Sequence, residues 1–332
     1  MGDLGEFGLI SRLAGMLPSE SPRLLVPLGD DACAFTTEEG RCLLPTTDML
    51  VEGVHFRAGW GTWRQVGIKA MTSSLSDIAA MGGKPLWAVI GLGAGPETPV
   101  AAVSGIYEGL RDEAARGGAE ICGGDTVRSE AGLILAVTLL GEIHGGGPIT
   151  RGGAKLGDAI LVTGRLGASA AGLAVLERSL DSPSEAPSPA LEEALSAHLE
   201  PKARCREGML LAETGLVHAM IDVSDGLWAD LEHICDASGV GAEVEAELAP
   251  VAGCCEEIGT LLQQEPLAWA MEGGEDYELL FTCSWEDKEA LQERIRRETG
   301  TPVTTIGRIT EGRGVSCRSY RRKSPEGGFR HF

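Results

Sequence analysis

Short apolar runs that lead straight into an aspartate are the feature that most constrains this chain. Three of its five acidic clusters have this form, and they place Asp48, Asp125 and Asp222 after apolar runs. Because ligands gather at strand ends in α/β folds, we expect these carboxylates near strand ends and a binding cleft. Any one cluster taken alone is also explained by turn chemistry or helix capping, which favour Asp beside Gly and Ser. The clusters are PLGDDACA (27–34), TTDMLVEGVHF (46–56), SLSDIAAMG (74–82), EICGGDT (120–126) and AMIDVSDGL (219–227).

The order of apolar runs along the chain predicts two α/β domains. A chain of 332 residues has room for about two domains, each with its own core. Both halves mix β-like runs with amphipathic helical patterns. The glycine-rich segment 144–153 separates two apolar runs and indicates a boundary near residue 147. We therefore expect domains at 1–147 and 148–332.

Charge and composition exclude several classes of function. The chain carries 28 Lys and Arg against 49 Asp and Glu, and this net charge of −21 repels nucleic-acid backbones and anionic membranes. No apolar stretch approaches the roughly 20 residues of a membrane-spanning helix, and the acidic N-terminus is unlike a secretory signal. We expect a cytoplasmic protein with no nucleic-acid or membrane partner. Its nine cysteines form no C-x-x-C pair and are expected to be mostly small buried residues.

If the acidic clusters converge in one cleft, their carboxylates need a cation. They would repel one another unless hard cations neutralised them. Mg²⁺ is the implied ion, because it binds one or two carboxylates together with substrate phosphates. An EF-hand loop starting at Asp222 is excluded, since Gly226 would occupy position 5 and His233 position 12. Zinc is poorly supported because the six His residues are scattered.

Two glycine-containing segments carry weaker signals. Residues 159–173, AILVTGRLGASAAGL, predict a strand, a glycine loop and a helix start, which could present backbone N–H groups to a phosphate. An ordinary tight turn explains this segment as well, because its glycines match neither a Walker A loop nor G-x-G-x-x-G. Residues 273–282, GGEDYELLFT, place Glu275 and Asp276 between two glycines and a predicted strand.

The ordered set of motifs resembles the thiamine-monophosphate kinase family over nearly the whole chain. The matching segments are GEFGLI, GDDAC, TTDMLVEGVHF, SDIAAMG, GGDT, TRGGAKLGDAILVTG, AMIDVSDGL, GGEDYELLFT and a terminal HF. That family shares a superfamily with aminoimidazole-ribonucleotide synthetase and selenophosphate synthetase, all of which use ATP without a Walker A loop. The resemblance implies transfer of the ATP γ-phosphoryl group to thiamine monophosphate. It also implies a homodimer whose N-terminal domains pair, and a C-terminal domain with a mixed sheet and flanking helices.

The resemblance further implies site residues, position by position. The positions that match Mg²⁺ contacts are Asp31, Thr46, Thr47, Asp48, Asp77, Asp125, Asp222 and Asp225. Those that match ATP contacts are Gly124, Asp125, Arg151 and Ser224. His55 and Glu275 match the substrate side. No acid or base is assigned, because the nucleophile is a phosphate oxygen already ionised at neutral pH.

Two positions depart from the family's pattern. Ser74 stands where the family usually has Asn before Leu-Ser-Asp. Glu326 stands near the position of a C-terminal Trp, so the contact to a thiazole or pyrimidine ring needs another residue. Phe329, which we assign to the substrate side, and Tyr277 are the candidates.

Two other functions stay open at this point. One is an ATP-using enzyme of the same superfamily with a different acceptor, and the other is a non-catalytic nucleotide-binding or Mg²⁺-binding protein. His55 and Glu275, retained within their motifs, argue against a different acceptor. The intact set of carboxylates argues against a protein without activity.

Overall fold

The computed structural model describes residues 5–17, 21–178 and 188–322, and it arranges them around two six-stranded sheets. The first sheet comes from the first half of the chain, and only its β4 and β5 pair in parallel. Its strands in spatial order are β1 (Leu24–Val26), β2 (Ala34–Thr36), β3 (Cys42–Val51), β6 (Ile134–Ile143), β4 (Lys84–Ala94) and β5 (Glu120–Arg128).

The second sheet comes from the second half, and only its β12 and β9 pair in parallel. Its strands in spatial order are β12 (Gly314–Cys317), β9 (Gly241–Val244), β11 (Val303–Thr310), β7 (Ala159–Thr163), β10 (Leu279–Cys283) and β8 (Val217–Asp222). The expected pair of α/β domains, with a mixed sheet and flanking helices in the C-terminal one, is confirmed, and the sheet of the first half is mixed as well. The boundary at residue 147 stays a prediction.

Helices flank both sheets. Those of the first half are α1 (Gly5–Met16), α2 (Trp63–Ala80) and α3 (Val100–Gly117). Those of the second half are α4 (Ala168–Glu177), α5 (Pro189–Leu199), α6 (Cys205–Thr214), α7 (Leu227–Ser238), α8 (Cys254–Leu262), α9 (Pro266–Glu272) and α10 (Lys288–Thr299), with one 3₁₀ turn at Ala246–Leu248. No helix in these described parts is both long enough and apolar enough to cross a membrane.

Helix α2 joins the two halves. It begins at a reciprocal cap in which Thr62 and Gln65 satisfy each other's backbone N–H groups. It packs closely on α3 because Gly67 and Gly109 lie at the crossing: a Cβ on Gly67 would come within 1.9 Å of the Ile106 carbonyl oxygen. The helix also contacts β8 and α6 of the second half. Its polar residues are therefore held at the junction of the two sheets.

The two faces of the first sheet differ in burial. Side chains that face α2, such as those of Leu44 and Leu135, are fully buried. On the opposite face Met49, Trp87 and Val89 are 42–56% exposed, although they are large and apolar. The residues of edge strand β5 are mostly exposed as well. The described chain thus presents an apolar sheet face to solvent.

Candidate active site

A cleft of about 620 Å³ lies between the two sheets. Residues of both halves line it, including Asp48 and Asp77 from the first half and Asp222 and Glu275 from the second. Asp222 ends β8, as the sequence predicts. Asp48 and Asp125 instead lie within β3 and β5, because the extended backbone continues past each aspartate.

Three carboxylates from distant parts of the chain meet at one point of this junction. Oxygen atoms of Asp31, Asp77 and Asp222 all lie within 4.8 Å of one another. Asp31 precedes β2, Asp77 is in the last turns of α2, and Asp222 ends β8. The Oδ2 atom of Asp31 is buried and has no hydrogen-bond partner in the described chain. A buried oxygen of this kind lacks a proton donor or a cation.

Burial is the largest cause of the raised carboxyl pKa values in this cluster. Burial, followed by repulsion from the Asp31 carboxylate, raises the pKa of Asp222 to about 8, although the hydrogen bond from Ser76 acts in the opposite direction. Burial, followed by repulsion from Asp48 and Asp222, raises the pKa of Asp77 well above its ordinary value. These carboxylates are costly to ionise together without a cation. The donor set, oxygen atoms only and crowded, fits Mg²⁺.

One face of strand β3 places Thr46 and Asp48 beside the cluster of Asp31, Asp77 and Asp222. Thr46 and Asp48 are two residues apart and point toward α2, as strand periodicity requires. Thr46 donates its hydroxyl hydrogen bond to Asp77, and Asp48 Oδ2 accepts one from Ser74 Oγ at 3.0 Å. Thr47 points to the other face and shares a hydrogen bond with a threonine of β6. Ser74, where the family usually has Asn, thus contacts Asp48 directly.

Arg151 lies against the cluster. Its guanidinium donates to Asp31 Oδ1 at 2.6 Å, and its backbone N–H donates to the carboxylate of Asp30. Burial lowers the pKa of Arg151, but the attraction of Asp31 outweighs that effect and raises it. Arg151 therefore stays charged beside the cleft. It is a cation of the type that binds phosphate oxygens in pairs.

The loop after β8 carries Ser224 and Asp225, and a residue that sequence reasoning missed shapes it. Asp230 Oδ2 accepts hydrogen bonds from the backbone N–H groups of Ser224, Asp225 and Gly226 at 3.0–3.2 Å. These bonds fold the loop over the start of α7. Asp225 and Asp230 also lie within 4.8 Å of a nitrogen of His233, measured between their ligand atoms.

The hypothesis of an open phosphate cradle at residues 159–173 does not hold. The strand, glycine loop and helix form as predicted, with Gly167 in the left-handed conformation before α4. The carboxylate of Asp276, however, accepts hydrogen bonds from the N–H groups of Gly167 at 2.7 Å and Ser169 at 3.4 Å. A residue of the chain therefore fills the anion position at this helix end.

Gly124 and Asp125 do not join the carboxylate cluster within one chain. Gly124 is in register with Ile90, which is in register with Val137, which in turn pairs with Asp48. Three strand spacings of about 4.8 Å separate Gly124 from Asp48, which makes about 14 Å. Gly124 and Asp125 instead lie on the exposed edge strand of the first sheet.

Residues of the proposed substrate side line the same cleft. His55 and Glu275 both line it, and His55 Nδ1 accepts a hydrogen bond from the N–H of Val51 at 3.0 Å. Tyr277 is buried and also lines the cleft. Phe329 lies outside the described residues. Sequence reasoning missed Lys69, which pairs with Glu275.

Comparisons with known proteins agree with this geometry. The family model "AIR synthase related protein, N-terminal domain" matches residues 29–143, and the corresponding C-terminal domain model matches residues 155–319. The chain is 40% identical to thiamine-monophosphate kinase of Mycobacterium tuberculosis over 83% of this chain and 80% of that protein. It is 35% identical to the Escherichia coli enzyme of the same name over 92% and 90% of the two chains.

Solved structures give the same result. AaThiL complexed with AMPPCP and TMP superposes with a TM-score of 0.86 at 34% identity, over 100% of this chain and 98% of that chain. Thiamine-monophosphate kinase from Stenotrophomonas maltophilia superposes with a TM-score of 0.76 at 33% identity, over 92% and 93% of the two chains. With matches of this extent, the chain belongs to the thiamine-monophosphate kinase family.

Proposed function

We propose that this protein transfers the γ-phosphoryl group of ATP to the phosphate of thiamine monophosphate, giving thiamine diphosphate and ADP. The observation that carries the proposal is the cluster of Asp31, Asp77 and Asp222, three half-buried or buried residues from both halves of the chain whose carboxylates meet beside one cleft. The solved relative AaThiL was complexed with AMPPCP and TMP, a nucleotide analogue and the proposed acceptor.

The reaction needs positioning and charge neutralisation more than proton transfer. The attacking oxygen of thiamine monophosphate is ionised at neutral pH, so no strong base is required. Negative charge on the acceptor, on ATP and on the protein must instead be neutralised while the reacting atoms are held in line. A cleft rich in carboxylates and poor in His suits such a reaction only if cations bind there.

Mg²⁺ is the cation we propose for the cluster. The carboxylates of Asp31, Asp77 and Asp222 would hold it, and it would neutralise the negative charge of the phosphates. The buried, unpartnered Oδ2 of Asp31 supports this assignment. The proposed ligands within one chain are Asp31, Thr46, Asp48, Asp77, Asp222 and Asp225. Thr47 points to the other face of β3 and Asp125 lies on edge strand β5, so their expected contacts with Mg²⁺ stay predictions.

The remaining residues divide between nucleotide and acceptor. For ATP we propose Gly124, Asp125, Arg151 and Ser224, of which Arg151 carries the positive charge. For thiamine monophosphate we propose His55 and Glu275, which line the cleft together, and Phe329. The carboxylate of Glu275 is a suitable neighbour for the cationic thiazolium ring. The cytoplasmic location expected from the sequence stays a prediction.

We also propose that the protein is a homodimer formed through the first sheet. The exposed apolar face that carries Met49, Trp87 and Val89 supports this, because such a face is typical of an interface. Edge strand β5, with Gly124 and Asp125, belongs to the same exposed sheet. Light scattering at micromolar concentration should give about twice the chain mass of 34.7 kDa, and a monomer would contradict the proposal.

A direct assay tests the activity. Purified protein with ATP, Mg²⁺ and thiamine monophosphate should form equal amounts of thiamine diphosphate and ADP, and removal of Mg²⁺ should abolish both. Free thiamine should not replace thiamine monophosphate, because it lacks the phosphate that accepts the group. Consumption of ATP without thiamine diphosphate would favour another acceptor. Nucleotide binding without turnover would favour a non-catalytic protein.

A further inference from the structure

We propose that Lys69 is a positioning residue that fixes the relative placement of His55 and Glu275, and so sets the affinity for thiamine monophosphate. This inference rests on the proposed function, because it concerns the residues that we assign to the acceptor. Lys69 lies in α2, on the same helix as Asp77 but about two turns earlier. It is buried, with only 5% of its side chain exposed.

The ammonium group of Lys69 has three hydrogen-bond partners on three separate segments. Its Nζ lies 2.8 Å from Glu275 Oε2, 3.3 Å from the backbone carbonyl oxygen of His55 and 3.3 Å from His198 Nε2. An ammonium has three N–H donors, so these three acceptors satisfy it completely. The side chain therefore ties the loop after β3, helix α5 and the loop before β10 to one point of α2.

The contact with His198 fixes the tautomer of that ring. Lysine only donates, so His198 Nε2 must accept and the ring proton must be on Nδ1. That nitrogen lies 3.3 Å from Glu275 Oε2 and 3.1 Å from Ser169 Oγ. Burial, followed by the charge of Lys69, lowers the pKa of His198 to about 4. A neutral ring with its proton on Nδ1 supports Glu275 from a second side.

The backbone holds Glu275 in place for these contacts. Glu275 has a φ of 62°, in the left-handed region that non-glycine residues rarely adopt. Its N–H donates to the carbonyl oxygen of Ser224 at 2.8 Å, and a Cβ on the preceding Gly274 would come within 2.3 Å of that same oxygen. Strained backbone held by its surroundings is typical of binding sites. The fixed backbone thus restricts where the Glu275 carboxylate can lie and holds it next to Lys69.

Lys69 and Glu275 differ in how much of each side chain is exposed, and this difference indicates different roles. Glu275 keeps 27% of its side chain exposed and lines the cleft, whereas Lys69 does not line that cleft and is almost fully buried. Glu275 can therefore contact an acceptor, while Lys69 acts through Glu275 and through the segment of His55. A residue that only stabilised the fold would have no selective effect on acceptor binding.

The test compares Lys69→Met with Lys84→Met, a matched change of an exposed lysine at the start of β4. We expect Lys69→Met to raise the KM for thiamine monophosphate by on the order of ten-fold, with the KM for ATP changed by less than about two-fold. Lys84→Met should change neither constant. In the background of Glu275→Gln, Lys69→Met should add little, because the two residues act as one unit.

The outcomes are distinguishable. Two results would overturn the inference. One is an equal increase of the KM for thiamine monophosphate and the KM for ATP in Lys69→Met. The other is a double variant, Lys69→Met with Glu275→Gln, whose KM for thiamine monophosphate rises by the product of the two single increases. Lys69→Arg, which keeps the charge, is the second variant and should recover part of the affinity for thiamine monophosphate. If Lys69→Met and Lys69→Arg both lost the cooperative melting transition, Lys69 would be structural only, and that result would also overturn the inference. Wild-type protein that forms no thiamine diphosphate would instead refute the proposed function.

Discussion

Ser76 Oγ donates a hydrogen bond to Asp222 Oδ2 at 2.6 Å, and both residues are buried. Ser76 is in α2 of the first half and Asp222 ends β8 of the second, 146 residues later. The bond therefore joins the two halves at the carboxylate cluster. It also favours the ionised form of Asp222 against the effect of burial, and that is the form that binds a cation.

Removing this hydroxyl should weaken the use of Mg²⁺. In Ser76→Ala, Asp222 loses a hydrogen bond of a type worth about 1.5–3 kcal/mol, and its pKa rises further. We expect the Mg²⁺ concentration for half-maximal thiamine diphosphate formation to increase several-fold at neutral pH. Ser104→Ala, on the exposed face of α3, is the control and should behave as wild type. An unchanged Mg²⁺ dependence in Ser76→Ala would contradict this role.

Asp48→Asn should separate charge from shape. Asn can still accept the hydrogen bond from Ser74, but it removes one charge from the cluster. We expect turnover to fall by on the order of 10², while the metal-free protein melts at the same temperature or higher because repulsion is relieved. Assays of thiamine diphosphate formation measure the first effect, and melting curves with and without Mg²⁺ and ATP measure the second, with the exposed Glu97→Gln as control. Near-normal activity with an unchanged Mg²⁺-dependent shift would show that Asp48 is not a ligand.

The metal-free protein should lose stability as the pH rises. The pKa of Asp222 is raised from an unfolded value of about 4 to about 8 in the folded chain. The folded state therefore holds a proton that the unfolded state has released, and stability falls from about pH 4 to about pH 8. Mg²⁺ should oppose this loss, and more strongly at the upper end, because it binds the ionised carboxylates.

Melting temperatures measured across this pH range, with a chelator or with Mg²⁺, check that prediction. General charge repulsion also grows with pH in so acidic a chain, so the informative quantity is the difference from Asp222→Asn. This variant should lose part of the pH dependence seen without metal. If the two proteins show parallel curves, Asp222 titrates at an ordinary pKa and the prediction is wrong.

The sequence correctly predicted the local structure around residues whose neighbours along the chain form a clear pattern. Asp222 follows an apolar run that forms β8, and the glycine loop before α4 forms at the expected residues. The partners of these residues could not be predicted in the same way. Asp276 fills the N-terminus of α4 from 109 residues away, and nothing in the local pattern of either segment indicates that a carboxylate replaces a phosphate there.

Lys69 shows the same limit at the substrate side. A lysine in an amphipathic helix normally keeps its charge in solvent. Here it is buried because Glu275, 206 residues later, supplies the opposite charge. One signal was present: Lys69, Ser73 and Ser76 recur at helical spacing on the face of α2 that carries the site. A polar stripe on a helix otherwise buried at a domain junction indicates a site rather than a solvated face.

Two adjacent glycines of β5 give a matched test of how the first sheet positions Gly124. A Cβ at Gly124 would come within 2.0 Å of the Ile90 carbonyl oxygen, whereas one at Gly123 would meet nothing closer than a Val89 methyl at 3.8 Å. Gly124→Ala must therefore push β5 away from β4, at a cost of about 1–3 kcal/mol. We expect it to lower both the melting temperature and the turnover, because Asp125 moves with the strand. Gly123→Ala should leave both unchanged within error. If the two variants were equally active and equally stable, close pairing at Gly124 would not be needed for the site.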